Sequence, residues 1–270
     1  MQLPPAPQLF LGIAADKMTV RIGAQGTRDM TTENTIQELA TTVAALQGRV
    51  AILEAESAVR RLQYTYGYLI DKCMYDETVD LFAKDGEVRF MGGIYKGKEG
   101  VRRLYVGRFR KNFTDDYNGP IYGFLLDHPQ LQCVIDVAKD GRSVKLRGRS
   151  LMQAGRHEST GESGALPRQW WEGGIYENEY VKEGDVWKIK VLDYNPLWHG
   201  MFDEGWARQP VNSYPFASKT YPEDPLGPDV IAPEAHRRLW PETPLVPFHY
   251  AHPVTGKPMV PQQPERWRAK

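Results

Sequence analysis

The distribution of proline constrains the fold of this chain more than any other feature of its sequence. Thirteen of the 20 prolines lie between Pro210 and Pro264. Because proline lacks an amide donor and fixes φ, this stretch cannot form a regular helix or a central strand. The same region carries eight aromatic residues, Trp206, Tyr214, Phe216, Tyr221, Trp240, Phe248, Tyr250 and Trp267. We interpret residues 205–270 as an extended arm that packs on the body or on a neighbouring subunit, with a loose linker as the alternative.

The N-terminal segment, residues 1–56, contains a heptad repeat within a predicted helix over residues 31–62. Six apolar residues follow one another at alternating spacings of three and four, namely Ile36, Leu39, Val43, Leu46, Val50 and Leu53. Valine and isoleucine at the a positions with leucine at d favour a parallel coiled coil. An ordinary amphipathic helix packed on its own domain is the alternative.

Charge and composition exclude several classes of function. The chain has 34 Lys+Arg and 34 Asp+Glu, so its net charge is zero, which argues against nucleic acid or an anionic membrane as the main partner. No apolar run approaches the length of a membrane span, and the N-terminus lacks the basic region of a secretory signal. Two cysteines form neither a disulfide framework nor a zinc site. We therefore expect a soluble, cytoplasmic protein without a metal.

Residues 57–82 form a second helical pattern, and it has two faces. Tyr64, Tyr68, Asp71 and Tyr75 fall within a narrow arc at about 100° per residue. Aliphatic residues fall on the opposite side. This arrangement predicts a helix between a packed core and an enclosed polar space lined by tyrosines around a carboxylate.

Strand patterns dominate the second half of the central region. Residues 130–137 and 143–154 flank a turn at residues 139–142, and residues 170–181 and 186–194 flank another at residues 182–185. Two consecutive hairpins predict an antiparallel sheet. Long helices followed by long antiparallel strands indicate an α+β fold.

This order of elements resembles the nuclear-transport-factor-2-like fold, in which helices cap a strongly curved sheet and enclose a conical pocket. The resemblance covers roughly residues 57–194, within the pocket domain that we place at residues 57–204. It is carried by Tyr68-Leu-Ile-Asp71, Asp80-Leu-Phe-Ala-Lys-Asp-Gly86, Tyr95-Lys-Gly-Lys-Glu-Gly-Val101, His128-Pro-Gln-Leu-Gln and the strand pair from Gly174 to Lys190. Within the superfamily these features are most similar to the scytalone dehydratase and polyketide cyclase branch, which includes SnoaL-like proteins.

Asp71, His128 and Tyr68 are the candidate catalytic residues. A carboxylate enclosed between tyrosines should have a raised pKa, because desolvation disfavours its charged form, and a raised pKa suits proton transfer near neutral pH. His128 stands immediately before a strand, where the resemblance places a pocket histidine. An Asp71 that only holds the helix, and a His128 that only caps a strand, are the structural alternatives.

Further residues are candidates for binding an aromatic substrate. They are Tyr64, Tyr75, Tyr122, Trp171, Tyr176, Arg149 and His199. Strand alternation sends one of Trp170 and Trp171 inward and the other outward. Arg149 could steady an anionic oxygen or form a surface ion pair, and His199 could close the pocket mouth.

These residues predict a lyase that needs no cofactor and acts by acid/base chemistry on a small aromatic substrate. Elimination of water would resemble scytalone dehydratase. Loss of formaldehyde from a phenylpropanoid dimer would resemble the bacterial lignin-dimer γ-formaldehyde lyases, which share the fold. The alternative is a non-catalytic module that binds an aromatic ligand or assists an oxygenase. We also expect a homo-oligomer: the heptad favours a dimer, the resemblance a trimer, and the trimer is preferred.

Overall fold

The computed structural model describes residues 25–161, 168–211, 213–233 and 237–260. Contacts divide the chain into two compact units, residues 1–49 and residues 50–270. The predicted boundaries at residues 56 and 204 stay predictions. Residues 1–24 of the predicted N-terminal segment and Trp267 of the arm lie outside the described residues.

One long helix, α1 (Gln25–Asp71), contains both helical patterns of the sequence. The six heptad side chains are between 50% and 63% exposed. Such an apolar stripe on a helix is what a coiled-coil partner covers. The oligomer itself stays a prediction.

The C-terminal part of α1 buries one face, which includes Val59, Gln63, Tyr66 and Ile70. These positions are three or four residues apart, so they share one side of a helix. The predicted enclosed arc of tyrosines is wrong, because Tyr64 is 36% exposed and Tyr68 is 74% exposed.

Tyr75 does not belong to the same helix as Asp71. Cys73 has a φ of 53°, in the left-handed region that interrupts a right-handed helix. The chain changes direction there, and Tyr75 begins a new helix, α2 (Tyr75–Asp80). The ring of Tyr75 is fully buried and packs edge-on against Phe109.

Two strands and three short helical segments follow α2. They are β1 (Phe82–Phe90), β2 (Gly93–Lys96), α3 (Gly97–Arg102), a π-helix (Arg103–Phe109) and α4 (Arg110–Thr114). The π-helix widens the helical turn, and such segments are frequent at functional sites.

The remaining strands complete one eight-stranded sheet. They are β3 (Phe124–Asp127), β4 (Gln130–Val137), β5 (Ser143–Arg156), β6 (Gln169–Glu183), β7 (Val186–Met201) and β8 (Val230–Ile231). A 3-10 turn (Glu158–Thr160) follows β5, and a short helix, α5 (Gly205–Arg208), follows β7. The order is β3-β5-β6-β7-β1-β2-β8, and β4 also pairs with β5. Both predicted hairpins are present, and β1 pairs with β7 in parallel. The α+β prediction is confirmed.

The described part of the proline-rich arm packs on the body. Its strand β8 pairs with the edge strand β2. Arg147 follows the buried Leu146 on β5, so its side chain lies on the opposite face of the sheet. There it donates hydrogen bonds to the carbonyl oxygens of Val246 and Pro247 at 2.8 and 2.6 Å. Its guanidinium also lies 4.2 Å from the ring centre of Phe248. Within the residues described, no helix combines the length and the apolar character that a membrane crossing requires.

Candidate active site

The inner face of the sheet, the end of α1, the π-helix and the arm surround a cavity of about 390 Å³. Nine of its lining residues are aromatic, namely Tyr66, Phe90, Tyr105, Phe109, Phe113, Trp170, Tyr176, Tyr194 and Tyr214. Ligand sites in proteins are typically of this size, with apolar walls and a few placed polar groups. The cavity therefore has the size and the lining of a small-molecule site.

Strand β6 supplies the central polar group of the cavity, Glu172. Side chains alternate along a strand, so Trp170, Glu172 and Tyr176 all face inward. Glu172 is only 4% exposed. It lies directly opposite His199 in the antiparallel pairing with β7, and His199 also lines the cavity. The fold thus places a carboxyl group and an imidazole side by side on the cavity wall.

Burial sets the protonation of this pair. It raises the pKa of the Glu172 carboxyl to about 7, and the nearby hydroxyls of Tyr194 and Tyr214 only partly oppose it. Burial also lowers the pKa of His199. The carboxyl of Glu172 can therefore exchange a proton near neutral pH, while His199 is uncharged.

His128 lines the same cavity, in the turn between β3 and β4. It is 5% exposed, and its Nε2 atom lies 2.9 Å from the hydroxyl oxygen of Tyr176. Burial lowers the pKa of His128 to about 4, so the ring is neutral at pH 7. The imidazole and the phenol form one hydrogen-bonded unit at the cavity wall.

Asp71 lies beside His128 but is not among the residues that line the cavity. Burial, followed by the charge of Asp127, raises the pKa of its carboxyl to about 6, and the nearby backbone of His128 only partly opposes this shift. The raised pKa agrees with the sequence expectation. The expectation that Asp71 points into the same cavity as His128 is not met, because α1 ends at Asp71 and the chain turns away at Cys73.

Four predicted tyrosines also do not line the cavity. Tyr68 and Tyr64 are on the exposed side of α1. Tyr122 precedes β3, is 80% exposed, and its hydroxyl lies 3.1 Å from the Ser159 hydroxyl. Tyr75 is buried in the core but is not part of the lining.

The alternation of side chains along a strand explains why two further predicted residues, Trp171 and Arg149, do not line the cavity. Trp170 takes the inward position, so Trp171 faces a separate surface groove, with its ring centre 5.9 Å from that of Phe202. Arg149 precedes the buried Ser150 on β5 and therefore faces the outer side of the sheet. Neither side chain lines the cavity.

The sequence reasoning missed Glu172 and Tyr214. A detectable signal existed for Glu172, because it follows Trp170 and precedes Tyr176 with a period of two along a predicted strand. No local pattern places Tyr214, which lies in the proline-rich arm. It is 6% exposed, lines the cavity, and has its ring centre 5.6 Å from that of His199.

In the part of the chain that the structure describes, no group of three or more His, Cys, Asp or Glu side chains could hold a metal ion. The expected independence from metals and cofactors stays a prediction.

Comparisons with known proteins give one family match. The model of a family described as a SnoaL-like domain matches residues 51–193. No curated protein matches the chain.

Solved structures with similar folds share little sequence with this chain. One, described as a candidate scytalone dehydratase from Novosphingobium aromaticivorans, is 18% identical, covers 56% of this chain and 89% of its own, and gives a TM-score of 0.44. The hexachlorocyclohexane dehydrochlorinase LinA-type3 from Novosphingobium barchaimii is 18% identical over 55% of this chain and 90% of its own, with a TM-score of 0.44. An ntf2-like protein with a cystatin-like fold from Novosphingobium aromaticivorans is 17% identical over 60% and 92%, with a TM-score of 0.41.

Proposed function

The chain belongs to the SnoaL-like domain family, and we propose that its cavity is the active site of a lyase that acts on an aromatic substrate without a cofactor. The membership confirms the nuclear-transport-factor-2-like fold expected from the sequence. One observation carries the proposal: an aromatic cavity contains both the buried carboxyl of Glu172 and the hydrogen-bonded pair of His128 and Tyr176. Cytoplasmic location stays a prediction.

We assign proton transfer to Glu172. A group with a pKa of about 7 is present in both protonation states near neutral pH, so it can accept a proton and return it. Tyr176, held by His128, supplies a hydroxyl to the oxygen on which charge develops in the substrate. Asp71, which lies next to His128 but outside the cavity lining, is assigned a positioning role.

For elimination of water, the carboxylate of Glu172 removes a proton from carbon. The electrons of the broken C–H bond form a C=C bond, and the C–O bond of the neighbouring hydroxyl breaks. The departing hydroxide takes the proton back from Glu172 and leaves as water. Substrate becomes alkene and water, and the enzyme is unchanged.

For loss of formaldehyde, a phenolic substrate first loses water to give a quinone methide. Glu172 then removes the proton of a hydroxymethyl O–H group. The O–H electrons form the carbonyl bond of formaldehyde as the C–C bond breaks. The electrons of that C–C bond form a C=C bond in the side chain, and the electrons of the exocyclic C=C bond of the quinone methide return to the ring and restore its aromaticity. The phenolate oxygen regains the proton. A lignin-derived phenylpropanoid dimer carries the phenol and the hydroxymethyl group that this sequence needs.

Incubation of purified, chelator-treated protein with a panel of phenolic dimers tests the proposal. Turnover without added metal or nucleotide supports the lyase. Binding without turnover supports instead a module that carries an aromatic ligand or assists an oxygenase.

We also propose that the chain forms a homo-oligomer through the heptad stripe of α1, with a trimer preferred over a dimer. A parallel arrangement places Arg49 at a g position opposite Glu54 at the next e position of a second copy, which is a favourable pairing. Sedimentation at micromolar concentration should give a multiple of the chain mass. Leu46→Glu, within the stripe, should lower that multiple, whereas Ala44→Glu, at a position outside it, should not. A clean monomer of the intact chain would refute the proposal.

A further inference from the structure

A line of buried polar side chains connects the backbone of β7 to the ring of His128. The amide nitrogen of Asp193 lies 3.0 Å from Oδ1 of Asn178, and Nδ2 of Asn178 lies 2.9 Å from Oε1 of Gln63. Nε2 of Gln63 lies 2.6 Å from Oε1 of Gln130, and Nε2 of Gln130 lies 3.3 Å from Nδ1 of His128. Gln63 and Asn178 are each 1% exposed.

The orientation of every amide in this line follows from its first member. A backbone N–H can only donate, so Asn178 must present its oxygen to Asp193. The NH₂ group of Asn178 then faces Gln63, which must present its oxygen there and its NH₂ to Gln130. Gln130 in turn presents its NH₂ to His128, where it donates to the backbone carbonyl at 3.1 Å and faces Nδ1. Nδ1 must therefore accept.

We propose that Asn178, Gln63 and Gln130 are positioning residues that hold neutral His128 as the tautomer with its proton on Nε2. The Nε2–H group then donates to the hydroxyl oxygen of Tyr176, 2.9 Å away. The hydroxyl proton of Tyr176 is thereby directed away from the imidazole and is left to hydrogen-bond a ligand. In the opposite tautomer, the same hydroxyl would donate its proton to the imidazole ring and could not donate it to a ligand in the cavity.

This arrangement defines the ligand that the cavity takes. A hydroxyl that donates recognises an oxygen acceptor, such as a phenolate, a carbonyl or a departing hydroxide. Burial keeps the ring of His128 uncharged at pH 7, so the tautomer alone decides the direction of the hydrogen bond. The inference rests on the proposed function, because it assigns the role of Tyr176 in the same site.

Nitrogen-15 NMR of the histidine rings tests the tautomer directly, with the His128 signals identified by their loss in His128→Gln. In the wild type, Nδ1 should give the shift of an unprotonated ring nitrogen and Nε2 that of a protonated one. Gln130→Met removes the donor while keeping the length of the side chain that packs on Gly67. It should move both shifts toward the opposite tautomer and lower kcat by up to ~10²-fold, with a smaller change in KM.

Two further variants separate positioning from a purely structural role. Gln130→Glu presents an acceptor to Nδ1 and should reverse the tautomer. Gln132→Met, an exposed position on the same strand, should leave ring shifts and kcat unchanged. Protonated Nδ1 in the wild type, or unchanged ring shifts in folded Gln130→Met, would overturn the inference. Wild-type protein that turns over no substrate yet shows the expected shifts would count against the proposed function alone.

Discussion

Glu172→Gln is expected to lower kcat by ~10²–10⁴-fold, the range for loss of one positioned acid/base group. Glutamine keeps the shape and the hydrogen-bonding capacity of the side chain, but it cannot accept and return a proton. Steady-state turnover of the best substrate measures the effect. The wild-type rate should also change with pH near 7, because burial raises the pKa of this carboxyl to about 7, and the variant should lose that dependence.

The same substitution should stabilise the protein at high pH. The folded-state pKa of Glu172 is raised from an ordinary value of 4.5 to about 7, so the folded state resists ionisation. Wild-type stability from this group is full below pH 4.5 and is lost as the pH rises toward 7. Above pH 8, Glu172→Gln should therefore be more stable by about 3 kcal/mol, and the difference should shrink in acid. Urea unfolding at pH 5 and pH 8 gives both values.

Two variants make this result specific. Glu179→Gln, an exposed position on the same strand, should change neither turnover nor the pH dependence of stability. Asp71→Asn should lower kcat less than Glu172→Gln does, because Asp71 does not line the cavity. Full activity of Glu172→Gln would remove Glu172 from the mechanism, and a loss of stability at pH 8 would contradict its raised pKa.

Truncation after Gly205 is expected to abolish turnover and to destabilise the fold, because the arm forms part of the cavity wall. Tyr214 lines the cavity next to His199. The arm is fastened by Arg103, which donates to the carbonyl oxygen of Gly227 at 2.8 Å and pairs with Asp229 at 2.7 Å. Without the arm, water would reach Glu172 and its pKa would fall toward that of an exposed carboxyl. Turnover and thermal unfolding measure the two effects.

A full-length variant guards against aggregation of the truncated chain. Arg103→Met breaks the partly buried pair with Asp229 and the bond to Gly227 while leaving Tyr214 in the sequence, and it should cost more than about 1 kcal/mol, the upper end for an exposed ion pair. Arg238→Met removes an exposed arm pair with Glu242 and should cost less than about 1 kcal/mol. Unchanged activity after truncation would exclude the arm from the site.

Local patterns in the sequence predicted the hairpins and three residues of the cavity wall. The turns at residues 139–142 and 182–185 join alternating strands, and such pairing needs only neighbouring residues. His128, Tyr176 and His199 line the cavity, as expected from their positions at strand ends or on strand faces. The order of the predicted elements, helices first and antiparallel strands afterwards, led to the resemblance, and the family match confirms that fold.

The differences arise where the geometry depends on a single backbone angle or on distant residues. A period of 3.6 placed Tyr75 in line with Tyr64 and Tyr68, but the positive φ of Cys73 ends the helix before it. The phase of β6 is fixed by its pairing with β5 and β7, so the sequence could not decide between Trp170 and Trp171. The parallel pairing of β1 with β7 joins residues that are more than 100 positions apart in the sequence. Tyr214 lies in an irregular arm, where there is no periodic pattern from which its position could be predicted.

The central claim, that the cavity catalyses an elimination by proton transfer alone, is tested most directly by mass spectrometry of a reaction without cofactors. Chelator-treated wild-type protein and Glu172→Gln would be incubated with a phenolic phenylpropanoid dimer that carries a hydroxymethyl group. The account predicts that the wild type converts the substrate into a product lighter by water, by formaldehyde or by both, while Glu172→Gln forms it at least ~10²-fold more slowly. Stoichiometric binding with no change in substrate mass, or equal rates for the two proteins, would contradict it.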